Sequence, residues 1–578
     1  MLDLRSNLGF KPEISGVRLK IETQDALRRP WPRLARSKAH ILKTTLPVGI
    51  FIGITLFVLL ILSHQEATYL TRGSTAERTL SKTQLEGLQP PSHDDGGGPR
   101  HLRLFMPADG PHINLCKTIM STVALGYPMP TILNWNGEFN RPDWHFAGSH
   151  VAKLESLLAV IDTIYDTEDN VNENDLILLV DAYDIWFQLP PSVLVERFHT
   201  LNRNADVRVA EQWAELAAEP GFPVRPPRQN IIVTTAKDCQ PTWESGSNPR
   251  YEYWPESPLP SDFYGAGTDE IPPYAYDAAQ KYKKVRPRCV NSGMVMGTMG
   301  ALRGALGQAK AKVDDAAMRG RQLWSDQALF AEVIGDQEMW RYWVRGLASE
   351  WNGSESREVL RRLPKEVRNI ADNALAGEKF EFGIGLDYDF ATIPPICSSE
   401  DEGFFVQLDD QDALQRESEK AGVADVVRVK GIPPELKDAE GPIPGVGWGN
   451  LSLYTDFFFG TTPVGIHHNA YIFGLKPWRL EHWWNMTWYY PHLRDLIGNA
   501  LRKDNKLTPL VSLPMPGDNE TQIVYWASEG NGSRKEVSVF SGADEERKFA
   551  PIDWDGLCQK GEAKWCDTLF GDDKGNMT

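Results

Sequence analysis

Residues 175–187, reading DLILLVDAYDIWF, constrain this chain more than any other segment. The apolar run from Leu176 to Val180 does not alternate with polar residues. As a strand it must therefore be buried on both faces, the condition of a strand inside a parallel sheet covered by helices on either side. Asp181 and Asp184 follow immediately. The carboxyl end of such a strand is where open α/β sheets bind ligands. Two acids there can share a hard divalent cation, Mn²⁺ or Mg²⁺, which prefers oxygen ligands and bridges to phosphate. The plainer alternative makes Asp181 a turn cap and leaves Asp184 solvated.

The neighbouring segments support the same architecture. HLRLFM (101–106) and TILNW (131–135) read as strands, and INLCKTIMSTVALGYP between them has helical spacing with a Gly-Tyr-Pro stop. SHVAKLESLLAVIDTIY (149–165) predicts a helix with Ser149 as N-cap. Alternating strands and helices define a mostly parallel, Rossmann-like α/β sheet with crossover helices. Downstream, QNIIVTTA (229–236) is a strand, 237–288 a loop rich in Pro, Tyr, Trp and Gly, and 289–313 strand, turn and helix. SDQALFAEVI (325–334) is a short helix capped by Ser325, and the charged stretch 345–380 reads as an insertion. The aromatic cluster EHWWNMTWYYP (481–491) opens an aromatic-rich extension, 481–578, and is expected to be core. There is no internal repeat and no sustained heptad pattern.

The N-terminus has a different character. Residues 46–62, LPVGIFIGITLFVLLIL, carry no charge and are just long enough to span a bilayer. The preceding 45 residues hold ten Lys/Arg against four Asp/Glu. That bias favours the cytoplasm for the tail and the lumen for the remainder. No Ala-x-Ala cleavage site follows the span, so an uncleaved anchor (46–63) is expected rather than a signal peptide. Residues 64–100, ending in PPSHDDGGGPR, read as a flexible stem. All six Cys and six Asn-x-Ser/Thr sequons, at Asn352, Asn450, Asn485, Asn519, Asn531 and Asn576, lie beyond the span, as suits an oxidising, glycosylating compartment. The formal net charge of -17 argues against a nucleic-acid partner, and an apolar content of 41% with 23 Phe excludes global disorder.

LILLVDAYDIWF resembles the metal-binding strand of GT-A glycosyltransferases. It is most similar to that of the glycosyltransferase domain of the procollagen lysyl hydroxylase/glycosyltransferases, whose motif is also Asp-x-x-Asp. Further segments resemble that family in the same order: GSHVAKLESLL with Lys153, IIVTTAKDCQPTW (231–243), CVNSGMVMG (289–297), SDQALF (325–330) and FGIGLDYD (382–389). GIHHNAYIFGLKPW (465–478) resembles the terminal His…Lys element shared with glycogenin-type transferases, with one departure: eight positions separate His468 from Lys476. The resemblance covers about residues 101–480 and implies a GT-A catalytic domain over that span.

It also implies roles. Asp181, Asp184 and either His467 or His468 would hold Mn²⁺ (or Mg²⁺), and Lys476 would contact the donor diphosphate. Lys153 could add positive charge there or be a surface lysine. Asn291 and Ser292 could hydrogen-bond the donor sugar or simply make a turn. Asp326 and Gln327 are candidates for sugar binding or acceptor activation, with a helix cap as the alternative. Trp135 could stack on uracil or pack. Cys239 and Cys289 each flank such a strand and are candidates for one disulfide, and Cys558 and Cys566 for another closing a small loop.

The expectation is a type II, single-pass glycosyltransferase of the Golgi (or ER) membrane, moving a hexose from a nucleotide-sugar, a UDP-sugar above all, to a glycan or glycoprotein acceptor. The alternative is a membrane-tethered sugar-binding or scaffold protein of the same fold without catalysis. A glycosidase would need two carboxylates flanking the scissile bond; Asp181 and Asp184, on one strand end, are a poor flanking pair.

Overall fold

The computed structural model describes residues 77–91, 96–144, 148–216, 220–269, 285–398, 402–423, 427–502, 508–515, 517–528, 536–542, 547–558 and 569–571. The basic tail and the segment expected to span the membrane lie outside these. Among the described residues, no helix is long and apolar enough to cross a membrane.

The first element is β1 (Glu77–Ser81), followed by α1 (Lys82–Glu86), where Ser81 and Gln84 form a capping box. Within the stem expected over 64–100 these residues are ordered, while 64–76 and 92–95 lie outside the described residues. Leu80, Leu85 and Leu88 are buried with Trp343, Val367 and Ile370 in a satellite core. Three leucines in so short a segment leave no periodic pattern to read, yet burying them is enough to order it.

β2 (Gly98–Pro107), α2 (Ile113–Ala124), β3 (Thr131–Leu133), α3 (Gly148–Thr167) and β4 (Leu176–Val180) then alternate as the sequence pattern requires. β2 pairs in parallel with both β3 and β4. The short β5 (Ile185–Phe187) and the long helix α4 (Pro191–Leu216) lead to β6 (Ile231–Ala236) and β7 (Cys289–Thr298). α5 (Met299–Met318) and α6 (Asp326–Ser349) follow, then β8 (Glu355–Val359), α7 (Lys365–Leu375) and β9 (Ile384–Asp387). β8 pairs with β1, so the segment expected as an insertion closes the satellite core together with residues 77–88. Ser325 caps α6, as read, but the helix runs on to Ser349 because its apolar stripe continues through Trp340 and Trp343. Ser149 lies inside α3 rather than at its cap.

The remaining elements are β10 (Gly403–Gln407), α8 (Gln411–Ala421), β11 (Ser452–Asp456), β12 (Gly465–His467), α9 (Leu475–His482), α10 (Leu493–Ala500), β13 (Val511–Met515), β14 (Asp518–Ala527), β15 (Val537–Ser541), β16 (Lys548–Ile552) and α11 (Trp554–Cys558). The central sheet runs β16-β15-β3-β2-β4-β7-β6-β9, with β14 also beside β2. It is a large, mostly parallel sheet within a mixed α/β fold. β7 is antiparallel to both of its neighbours and β9 lies at one edge.

β4 meets its expected environment. Leu176, Leu178 and Val180 enter the apolar core that includes α2 and the aromatic residues near position 484, while Ile177 and Leu179 enter the core under α3, α5 and α6. Trp483, Trp484, Trp488 and Tyr489 are buried, as expected of the aromatic cluster. The C-terminal region is no appendage, however. β14 and β15 pair in parallel with β2 and β3, and residues 75–578 form one compact unit. The boundary drawn at 480 therefore does not separate two bodies. Cys239 bonds to Cys289, as read, but Cys558 bonds to Cys116 on α2 rather than to Cys566. α11 packs against α2 and brings those two Cα atoms to 5.4 Å.

Candidate metal centre

The centre forms where β4 ends. The Asp181 N–H donates to the carbonyl of Gly293, 2.9 Å, anchoring the turn to β7. Two residues on, the Tyr183 hydroxyl donates to Asp109 Oδ1 at 2.8 Å and accepts from the N–H groups of Asp109 and Gly110. This ties the Asp-Ala-Tyr-Asp turn to the loop after β2. β12 pairs antiparallel with β5 and sets His467 opposite Ile185, beside Asp184. The next amide, His468 N–H, donates to the Asp184 carbonyl at 2.7 Å.

Asp181, Asp184 and His467 thereby offer ligand atoms that all lie within 4.8 Å of one another, a group that could hold a metal ion. His467 Nε2 is 3.3 Å from Asp184 Oδ2 and 3.7 Å from Asp181 Oδ2. Two carboxylates and an imidazole form a hard-to-borderline donor set suited to Mn²⁺, Mg²⁺ or Zn²⁺. The cradle is shaped for the ring: a Cβ on Gly293 would stand 2.4 Å from His467. His468 is turned the other way. It is fully buried against Trp186, ring centroids 4.0 Å apart, and near Trp483. Burial and Arg479 push its pKa well below the usual imidazole value. Its packing among tryptophans, outside the Asp181–Asp184–His467 group, makes it a core residue rather than a ligand.

Two lysines bracket the acids. Lys153, buried on α3, reaches Asp181 Oδ1 (2.6 Å), the Ser292 carbonyl (2.6 Å) and Asp326 Oδ2 (3.2 Å). Lys476, at the start of α9 and half exposed, reaches Asp184 Oδ2 at 2.5 Å. Burial works to raise Asp184, but His467 and Lys476 outweigh it and hold this carboxyl well below the ordinary range. Asp181 goes the other way: burial raises it, and Lys153 offsets only part of that. One firmly ionised acid thus stands beside one that holds its proton more tightly.

Ser292 donates from Oγ to Asp326 Oδ2 at 2.8 Å, and its N–H donates to Gln327 Oε1 at 3.2 Å. Gln327 Nε2 in turn donates to the Gln240 carbonyl. Both ends of that amide are committed to the protein, so Gln327 braces β7 against the loop after β6. Burial works to raise Asp326, but Lys153 and the Ser292 hydroxyl outweigh it and lower the carboxyl, making it a weak base. Its geometry suits positioning Lys153 better than accepting a proton. The Asn291 side chain accepts from the Gly293 N–H at 3.1 Å, a local turn contact.

Lys153, Asp181, Asp184, Asn291, Ser292, Asp326, Gln327, His467 and Lys476 are thus drawn into one cluster. Trp135 is not bonded into it. It follows Asn134, which adopts φ 58°, and packs half-buried on the core at the carboxyl end of β3. Tyr183 and Gly293 do structural work the sequence reading missed; the only available signal was their position inside the two motifs. A third such contact is the hydrogen bond from Tyr471 to Asp238, joining the loop before α9 to the end of β6.

No protein-family model matches this chain, and comparison with characterised protein sequences returns no match.

Proposed function

We propose that this chain is a metal-dependent glycosyltransferase of GT-A type, transferring a hexose from a nucleotide-sugar, taken to be a UDP-sugar, to a glycan or glycoprotein acceptor. The observation that carries the reading is the Asp181–Asp184–His467 group at the carboxyl end of a buried strand, with a lysine on either side. Mn²⁺ is the proposed ion. A bound divalent ion supplies Lewis-acid stabilisation of the charge that gathers on a departing diphosphate.

The chain's own residues have distinct tasks in this reading. Asp184, held ionised, keeps a full negative charge at the centre at neutral pH. Lys153 is fixed by three partners and balances Asp181 and Asp326 from below. Lys476 is the more exposed cation, and in this reading it leaves Asp184 for a diphosphate oxygen. Ser292 and Asn291, on the strand facing Asp181, border the space a donor sugar would take. The N-terminal segment, read as a type II anchor, would place this body in the Golgi or ER lumen.

A second reading rests on those same ion pairs. Lysines already satisfy both acids, so a sugar-binding protein of this fold would need neither metal nor turnover. Hydrolysis or transfer from UDP-sugars by the purified chain, followed by mass spectrometry with Mn²⁺ or EDTA, separates the two. Turnover that needs Mn²⁺ and disappears in Asp181→Ala supports the transferase. Unchanged turnover in that variant removes the metal assignment, and no turnover with sugar binding intact favours the second reading.

A further inference from the structure

A second chemically distinctive site lies between α4, α6, the loop at 254–258 and the edge strand β9. It is a cavity of about 310 Å³ that shares no residue with the metal cluster. Arg208, Arg341 and Arg345 line it, in a chain whose net charge is -17. The carboxylates in its wall are already engaged. Glu338 is paired with Arg341 at 2.8 Å, and Glu256 with Arg288 at 3.0 Å. Arg341 is further occupied by Glu381, which accepts from both Nε and Nη2. Arg208 and Arg345, by contrast, form no ion pair or side-chain hydrogen bond among the described residues. Burial and the neighbouring Arg341 push the Arg345 guanidinium below its ordinary value, and Glu338 offsets only part of this.

Two polar side chains in the same wall also lack partners. Trp213 Nε1 and Ser257 Oγ are buried without a hydrogen bond, and each residue is only 5% exposed. Buried donors and guanidinium groups are ordinarily satisfied. Two guanidinium groups without an ion-pair partner lining one cavity are the complement of an oxyanion, which accepts from several donors at once and favours arginine. Trp254 adds a flat apolar wall to the cavity.

We infer that this cavity binds a small oxyanion, a carboxylate or phosphate group, held by Arg208 and Arg345. The inference is independent of what the metal centre does. Titration calorimetry of the full-length chain in EDTA, with inorganic phosphate and separately with D-glucuronate, tests it. Saturable binding of at least one probe is expected, weakened about tenfold or more in Arg208→Gln/Arg345→Gln and unchanged in Asp181→Asn. The probe that binds tells phosphate from carboxylate. Absence of saturable binding by either, binding that survives the double substitution, or binding lost in Asp181→Asn overturns the site. Should the double variant fail to melt cooperatively, Arg345→Lys decides: it retains charge but not the planar fork, so weaker binding supports the site and unchanged binding counts against it.

Discussion

Gly293 lies so close to His467 that a Cβ on the glycine would stand 2.4 Å from both Nδ1 and Cε1 of the ring. The glycine is needed for space rather than for an unusual backbone, since β7 is extended there and Gly293 is not among the positive-φ glycines. Gly293→Ala should therefore leave the fold cooperative but displace the imidazole from Asp181 and Asp184. In wild type, Mn²⁺ at a hundredfold excess over Kd should stabilise by about 2.7 kcal/mol. In Gly293→Ala most of that shift should vanish, as a thermal melt with and without Mn²⁺ will read.

The two lysines should respond differently to loss of charge. Lys153→Met strands Asp181 and Asp326 around a buried site, where breaking an ion pair costs about 3–5 kcal/mol. Lys476 is 46% exposed. After discounting for solvent screening, Lys476→Met should cost less than about 1 kcal/mol. Urea unfolding of both variants checks the contrast. If the transferase reading holds, Lys476→Met should nonetheless lose activity by about tenfold or more.

A buried acid outside the centre gives a pH test. Burial, with Glu402 nearby, pushes Asp456 up to about 7, and its Oδ2 has no hydrogen-bond partner. A carboxyl raised in the folded state contributes stability that is complete below its unfolded pKa and is lost as pH rises through the folded value. Wild type should therefore lose stability between about pH 4 and 7 from this group. Asp456→Asn keeps an acceptor for the N–H groups of Phe458 and Phe459. It should be close to neutral below about pH 4 and increasingly stabilising up to pH 8, seen as melting temperatures that coincide at low pH and diverge in favour of the variant as pH rises.

Topology can be tested without reference to chemistry. The sequon residues Asn352, Asn450 and Asn485 are all exposed. If the body enters the secretory lumen, full-length chain made in eukaryotic cells should carry N-glycans at these positions. A mobility shift on glycosidase treatment, reduced in the triple Asn→Gln variant, is the expected outcome; the sequons at Asn519, Asn531 and Asn576 remain in that variant. An unshifted band would count against a lumenal body.

How much of this was legible beforehand varied with the range of the interaction. β4, α3, β7 and the Ser325 cap follow from local patterning, because apolar run length and cap chemistry act within a few residues. The choice between His467 and His468 was not legible, since it depends on a one-residue register: β12 pairs His467 with Ile185, and period-two alternation sends His468 to the opposite side among tryptophans. Lys153 looked equally suited to the surface of an amphipathic helix, and only the approach of α3 to β7 decides against that. The pairing of β14 and β15 with the first parallel strands could not be read from short strands so distant in sequence. The Cys116–Cys558 bond escaped notice for the same reason.

That remote pairing has a consequence for biogenesis. β2 and β3 emerge early in synthesis, but their neighbours β14 and β15, and the thiol that joins Cys116 across 442 residues, arrive almost at the end. Until then the nascent chain presents unpaired strand backbone and an uncovered apolar helix face. Slow, long-range pairing of this kind leaves a polypeptide dependent on chaperone protection during translation. A premature stop that removes only the last strands should therefore act as a folding defect of the whole body rather than as the loss of a tail.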